Sequence, residues 1–132
     1  MATDFFTGLF STSLRDNEII IAIRVPVPVE GTKTSYQKFE QPASRFAIVG
    51  CAVLRFADGK TNIAFTGVSD FAFRDKNAEK AVAGKPINEE SVAAAVNAAL
   101  EGVTISSDHY TSEEYHRHLA KVYLKKALKA VG

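Results

Sequence analysis

The chain has three histidines, the residue type that most commonly binds metal ions in proteins. They are His109, His116 and His118. Each residue of an α-helix turns the side-chain direction by about 100°, so positions 116 and 118 point about 200° apart and cannot close on one metal ion. A helical projection places His116 beside Leu119 and Ala120, which predicts a partly buried histidine rather than a ligand. We therefore predict no metal site.

Nucleophilic and nucleotide-binding chemistry also lack a recognisable pattern. The single cysteine, Cys51, lies in an apolar run, where a thiol behaves as a small hydrophobic group and is a poor nucleophile. Neither G-x-G-x-x-G nor G-x-x-x-x-G-K, the glycine-rich patterns that bind nucleotide phosphates, occurs in the sequence. A dinucleotide would therefore have to be held mainly by something other than this chain.

A lysine inside an aromatic strand pattern is the remaining candidate. In the segment YQKFE, the alternation puts Tyr36, Lys38 and Glu40 on one face and Gln37 and Phe39 on the other. Neither face is purely apolar, which is typical of a strand that lines a site. The alternative is an edge lysine that discourages pairing with another strand, and the residues by themselves favour that alternative.

The elements that would position Lys38 follow from one change of hydrophobic period. Strand patterns cover residues 19–25, 34–40, 46–57 and 61–68. Helical patterns follow at residues 77–83, 88–101 and 111–131. Asp58-Gly59 predicts a hairpin turn, Asn88 a helix cap, and Thr111 a capping box with the glutamate three residues later. Strands followed by helices predict an α+β fold, a mostly antiparallel sheet with about three helices packed on one face.

Length and composition narrow the class of protein further. The 132 residues are 46% hydrophobic and carry a net charge of +1, which suits one globular domain and gives no basic field for nucleic acid. No apolar run approaches the roughly 20 residues of a membrane-spanning helix. A lone cysteine and the lack of a visible secretory signal favour the cytoplasm.

Five segments, taken together and in order, resemble one family. The segments are DFFTGLF, NEIIIAIRVP, YQKFEQPASRFAIVG, FTGVSDFAFR with AEKAVAGK, and EEYHRHLAKVYLKKAL. They are similar to the C-terminal domain of the flavin-binding medium subunit of molybdenum hydroxylases, the group containing aerobic carbon monoxide dehydrogenase and xanthine dehydrogenase. The resemblance covers nearly the whole chain and implies the α+β sandwich of that domain, which agrees with the fold predicted from the elements.

The resemblance also implies a cofactor site. In the family this domain covers one side of an FAD whose phosphates are held by the N-terminal part of the subunit. Two contacts carry over by position, Lys38 and Ile20, although an isoleucine in such a strand is more often a core residue. Lys38 would place a positive charge beside the flavin and favour its reduced form. The family often has an aspartate where this chain has Arg45, in a loop expected near the flavin.

Partners and a division of the chain follow from the same resemblance. Residues 1–16 would be a linker from an N-terminal FAD-binding domain, and residues 17–132 would be the C-terminal domain. FAD would relay electrons from the iron–sulfur clusters of a small subunit to an acceptor, while a molybdopterin-containing large subunit oxidises the substrate. The chain alone is expected to catalyse nothing and to purify colourless. The alternative is a freestanding assembly or interaction domain without a flavin role.

Overall fold

The computed structural model describes residues 2–107 and 111–132. The strands are β1 (Phe6–Gly8), β2 (Ser11–Thr12), β3 (Lys33–Glu40), β4 (Ala47–Arg55), β5 (Thr61–Thr66) and β6 (Phe73–Arg74). The α-helices are α1 (Lys76–Val82), α2 (Glu89–Ala98) and α3 (Glu113–Lys129), and Ala2–Asp4 forms a short 3-10 turn. None of the helices in this part of the chain is long and apolar enough to cross a bilayer.

Strands β3 to β6 form an antiparallel sheet in chain order, and β1 and β2 form a separate two-stranded ribbon. Strands β4 and β5 pair in register from Gly50 opposite Thr66 to Arg55 opposite Thr61. Their connection contains Asp58-Gly59, and Gly59 has a φ of +84°, a conformation that glycine adopts without a steric cost. The predicted hairpin is confirmed.

Alternation along the central strands separates a helix-covered face from an outer face. Val49, Cys51 and Val53 of β4 are buried together with Ile63 and Phe65 of β5. Helix α3 packs on this face against β3 and β4, α1 packs against β5, and α2 packs against both helices. Burial of each large apolar side chain stabilises the fold by about 1.5–3 kcal/mol. The predicted α+β fold, with helices on one face of an antiparallel sheet, is confirmed.

The helix starts agree with the sequence at one cap and differ at another. The Asn88 side chain accepts a hydrogen bond from the Ser91 N–H (2.9 Å), and the Ser91 hydroxyl accepts one from the Asn88 N–H (3.0 Å). The predicted Asn88 cap is therefore confirmed. The capping box predicted at Thr111 is wrong, because Ser112 caps α3 by accepting from the Tyr115 N–H (3.2 Å). The glutamate three residues after Thr111 pointed to the wrong one of two adjacent hydroxyl residues, although serine is the somewhat better helix cap.

Asp75 joins the start of α1 to the end of α2. Its carboxylate is almost fully buried, and Oδ1 accepts hydrogen bonds from the N–H groups of Asn77 (3.1 Å) and Ala78 (2.9 Å). Oδ2 accepts a third bond from the Leu100 N–H at 2.7 Å. Leu100 has a left-handed φ of +66° and a buried side chain. Helix α2 ends at Ala98, because Ala99 already leaves the helical conformation with a ψ of 142°. The helix is therefore shorter than the predicted end at residue 101.

Glu79 joins α1 to the sheet in a similar way. Oε1 accepts hydrogen bonds from the Ile63 N–H (3.0 Å) and Arg74 Nε (2.7 Å), and Oε2 accepts one from Lys76 Nζ (3.1 Å). Burial acts to raise the pKa of this carboxyl, but the hydrogen bonds from Arg74, Ile63 and Lys76 outweigh it. The pKa of Glu79 therefore lies below its usual 4.5.

The strand predicted over residues 19–25 does not form in the described part of the chain. Residues 18–29 have no regular secondary structure and no strand partner among the described residues. Ile19, Ile21, Ile23 and Val25 are each at least 80% exposed. A β-branched run gains its stability from cross-strand pairs and burial more than from the backbone, and the described residues supply neither. The prediction of a strand is therefore wrong for this chain by itself.

Candidate functional site

Lys38 lies on the outer face of the sheet, near the end of β3. Its ammonium group is 2.8 Å from Glu40 Oε2 and donates a hydrogen bond to the Arg45 carbonyl at 3.2 Å. An ammonium group has three N–H donors, so the geometry leaves one donor beyond these two contacts. The side chain is 39% exposed. The Lys38 ammonium group is thus fixed by two contacts and remains accessible from outside the sheet.

Small residues lie beside Lys38 on this outer face. The register aligns Lys38 with Gly50 and Thr66 in one row across the sheet. A Cβ on Gly50 would lie 2.5 Å from the Tyr36 hydroxyl oxygen and 2.7 Å from Thr66 Cγ2, so the tyrosine ring leans over the glycine. This close approach requires glycine at position 50. The row therefore presents Lys38 and Thr66, with the Tyr36 ring lying over Gly50 between them.

A shallow hollow follows in the next row of the same face. The register aligns Tyr36, Ala52, Ala64 and Arg74 across the sheet, and all four line the hollow, which has a volume of about 300 Å³. No α-helix formed by residues 2–107 and 111–132 packs on this face, because the three helices cover the opposite one. The outer face can therefore receive a flat group or another protein surface.

The loop between β3 and β4 supplies the second contact of Lys38. It closes through hydrogen bonds from the Gln41 N–H to the Phe46 carbonyl (2.9 Å) and from the Arg45 N–H to the Gln41 carbonyl (2.8 Å). Arg45 has a left-handed φ of +59°, and the Phe46 side chain is 79% exposed. A non-glycine residue in this region is uncommon and often marks a functional turn. The carbonyl that accepts the Lys38 hydrogen bond thus belongs to the described loop residue with a left-handed backbone.

Ile20, the other predicted site residue, lies in a different setting. It is 53% exposed and lines a cavity of about 400 Å³ together with Phe5, Phe6 and Ile23. Lys38 is not among the residues that line this cavity. The structure therefore does not bring the two predicted residues together in a single pocket, and they lie in two separate candidate sites.

Two of the remaining chemical candidates, His116 and Cys51, are buried, and the Nδ1 of His116 has no hydrogen-bond partner among the described residues. His116 is 4% exposed on the core side of α3, as its projection predicted, and His109 lies outside the described residues. Burial, with a smaller effect of the Asp75 charge, raises the pKa of the Cys51 thiol to about 12. Among the described residues no cluster of histidine, cysteine and carboxylate side chains could hold a metal ion.

Sequence reasoning identified part of this arrangement and missed the rest. The period of two places Glu40 on the same face as Lys38, but it does not predict that the two side chains pair. A β-bulge produces the local geometry, because Phe39 pairs with Val49 and Glu40 pairs with Ala47, which leaves one extra residue on β4. The contact of Lys38 with the Arg45 carbonyl depends on the loop conformation and has no signal in the sequence.

The three helices and the antiparallel sheet define an α+β fold, and the outer face of the sheet carries an accessible lysine. Comparison with known proteins identifies the family. The sequence model of the CO dehydrogenase flavoprotein C-terminal domain matches residues 34–131. The chain belongs to this family. The matched region begins one residue after the start of β3 and ends two residues after α3.

Individual relatives agree with this assignment. The chain is 33% identical over 133 residues to the carbon monoxide dehydrogenase medium chain of Hydrogenophaga pseudoflava, covering 98% of this chain and 46% of that protein. It is 27% identical over 130 residues to the xanthine dehydrogenase FAD-binding subunit of Escherichia coli O157:H7, covering 94% and 44%. A solved carbon monoxide dehydrogenase from H. pseudoflava superposes with a TM-score of 0.90 and 35% identity over 98% of this chain and 47% of that one. The chain thus spans about half the length of these relatives.

Proposed function

We propose that the chain is the C-terminal part of the FAD-binding subunit of a molybdenum hydroxylase and helps to seat FAD. In the complete enzyme, FAD would relay electrons from iron–sulfur clusters in a small subunit to an acceptor, and a molybdopterin-containing large subunit would oxidise the substrate. The observation that carries the proposal is the accessible Lys38 on the open sheet face of a domain from a flavoprotein family. The unpaired Cys51 accords with a cytoplasmic location.

The chemistry of the outer face fits a flavin. FAD supplies reversible electron-transfer chemistry when it is bound, and reduction adds negative charge to its ring system. Lys38 offers a positive charge and one further N–H donor, and Tyr36 offers a hydroxyl on the same face. Ala52 and Ala64 leave space for a flat group in the hollow beside Tyr36. These residues would orient one side of the cofactor and stabilise the reduced form.

Phosphate binding has to come from elsewhere in the subunit. The sequence contains neither of the glycine-rich patterns that bind nucleotide phosphates. Residues 18–29 pair with no other described strand and expose several isoleucine and valine side chains, which suits pairing with another part of the subunit. An N-terminal FAD-binding domain would supply both the phosphate-binding residues and the partner for residues 18–29. The relative from H. pseudoflava is about twice as long as this chain, which leaves room for such a domain. Ile20, on the less exposed side of this segment, is then proposed as an apolar contact of FAD.

The domain boundary is part of the same proposal. Residues 1–16 would form the linker and residues 17–132 the C-terminal domain. The main sheet begins at Lys33 and the family match at residue 34. Residues 17–29 would therefore belong to the domain only through contacts made in the complete subunit.

The experiment that tests the proposal is Lys38→Ala in a subunit assembled from this chain and the FAD-binding portion of a full-length relative. We expect a lower flavin midpoint potential or weaker FAD retention, because an ammonium group near the flavin stabilises the charge added on reduction. At about 4 Å and an effective dielectric of about 20 the pairwise energy is about 4 kcal/mol, which is an upper limit for an exposed lysine. Potential and FAD content are measured by spectroelectrochemistry and absorption.

The matched control is Lys80→Ala, which removes an exposed lysine from α1. It should leave both the potential and the FAD content unchanged. If Lys38→Ala behaves like this control, Lys38 is only an edge charge and the proposed contact is wrong. If the chain assembles with its partners and has no effect on their flavin, the freestanding assembly domain is the correct interpretation.

A further inference from the structure

We propose that Glu40 is a positioning residue that holds Lys38 and offsets its charge, and so keeps the flavin potential lower than Lys38 alone would set it. This inference rests on the proposed flavin role of Lys38. The Lys38 ammonium lies 2.8 Å from Glu40 Oε2, on the outer face of the sheet and within the same strand. FAD would then face an ion pair rather than a lone cation.

Stability does not account for this ion pair. The Lys38 and Glu40 side chains are 39% and 42% exposed. Exposed ion pairs contribute between about 0 and 1 kcal/mol, because solvent screens the attraction and two long side chains lose freedom. Neither side chain belongs to the core formed by the described residues, since both project away from the helix-covered face. The consequence of the pairing is therefore local and electrostatic.

The local backbone keeps the two charges together. Lys38 and Glu40 are two residues apart and so share a face, and the bulge opposite Glu40 increases the twist of the strand at that point. The Arg45 carbonyl accepts a second hydrogen bond from the ammonium group at 3.2 Å. With the carboxylate and the carbonyl as two fixed acceptors, the remaining N–H of Lys38 has a defined direction. Glu40 thus determines both where the lysine points and how much net charge it presents.

The two roles of Glu40 can be separated by the choice of substitution. Glu40→Gln keeps an oxygen that can accept the lysine hydrogen bond but removes the negative charge, so the cation is no longer offset. Glu40→Ala removes the charge and the acceptor, so Lys38 loses one of its two fixed contacts. We expect Glu40→Gln to raise the flavin potential, and we expect Glu40→Ala to raise it less because the lysine is released.

The experiment measures the flavin midpoint potential in the assembled FAD-containing subunit, for Glu40→Gln, Glu40→Ala, Lys38→Met and the Glu40→Gln/Lys38→Met double variant. Glu40→Gln should shift the equilibrium towards reduced flavin by about three- to tenfold, which is about 15–30 mV for a two-electron couple. In the Lys38→Met background the same change should have a clearly smaller effect, because there is no cation left to unmask. Glu114→Gln, an exposed carboxylate on α3, should have no effect in either background.

The outcomes distinguish this inference from the proposed function on which it rests. A lower potential in Lys38→Met with no shift in Glu40→Gln would leave the flavin contact intact and overturn the role of Glu40. Equal shifts from Glu40→Gln in both backgrounds would show that Glu40 acts independently of Lys38, which also overturns it. An unchanged flavin midpoint potential in Lys38→Met, in Glu40→Gln and in the double variant would overturn the flavin contact itself.

Discussion

Replacement of Asp75 should cause a large loss of stability, because its buried carboxylate accepts three backbone hydrogen bonds. The carboxylate accepts hydrogen bonds from Asn77 and Ala78 at the start of α1 and from Leu100 after α2. Loss of a helix cap costs about 0.5–2 kcal/mol. Leaving the buried Leu100 N–H without an acceptor costs about 1–3 kcal/mol more. Asp75→Ala should therefore lower the free energy of unfolding by about 1.5–5 kcal/mol.

Asp75→Asn separates the two contributions. Its side-chain oxygen can still cap α1, but an amide NH2 group would face the Leu100 N–H, so only the second cost of about 1–3 kcal/mol applies. Urea unfolding monitored by circular dichroism gives both free energies, with the exposed Asp16→Ala as a control expected within about 0.5 kcal/mol of wild type. Wild-type stability of Asp75→Asn, or an alanine variant more stable than the asparagine variant, would refute the reasoning.

Two further predictions concern single residues of the fold. Gly67→Ala should destabilise the chain by more than about 2 kcal/mol, because its φ is +76° and a Cβ would lie 2.4 Å from the Ile48 carbonyl oxygen; Gly84→Ala, with a φ of +67° but open space around it, should cost only about 1 kcal/mol in the same urea titration. Because the pKa of Glu79 is depressed when folded, its contribution is complete above its unfolded pKa near 4.5 and is lost as the pH falls through the lower folded value. Between pH 7 and pH 3 the free energy of unfolding of Glu79→Gln should therefore fall by less than that of wild type. Equal decreases would contradict the assignment.

The central sheet could be predicted from the sequence because its signals are local. The period of two in β3 to β5 and the Asp58-Gly59 turn act within a few residues of each other, and both are found in the structure. Helix positions follow for the same reason, although the ends shift where tertiary contacts decide. Leu100 is an example, since its left-handed backbone depends on a hydrogen bond to Asp75, 25 residues away.

The features that escaped prediction depend on contacts between distant parts of the chain or on contacts that this chain does not make. Strand β6 has two residues and forms only through its pairing with β5. Residues 19–25 have a strong strand pattern, yet a strand needs a partner, and the described residues do not provide one. The period of two identified the face of Lys38, but its contact with the Arg45 carbonyl follows from the loop backbone.

The most direct test of the flavin role is the FAD content before and after assembly. The chain alone should purify colourless, because its sequence contains neither of the glycine-rich patterns that bind nucleotide phosphates. Mixed with the FAD-binding portion of a full-length relative, it should form a complex that retains stoichiometric FAD through gel filtration, while that portion alone retains less. Visible flavin absorption that is the same with and without this chain, or a yellow chain carrying its own FAD, would contradict the account.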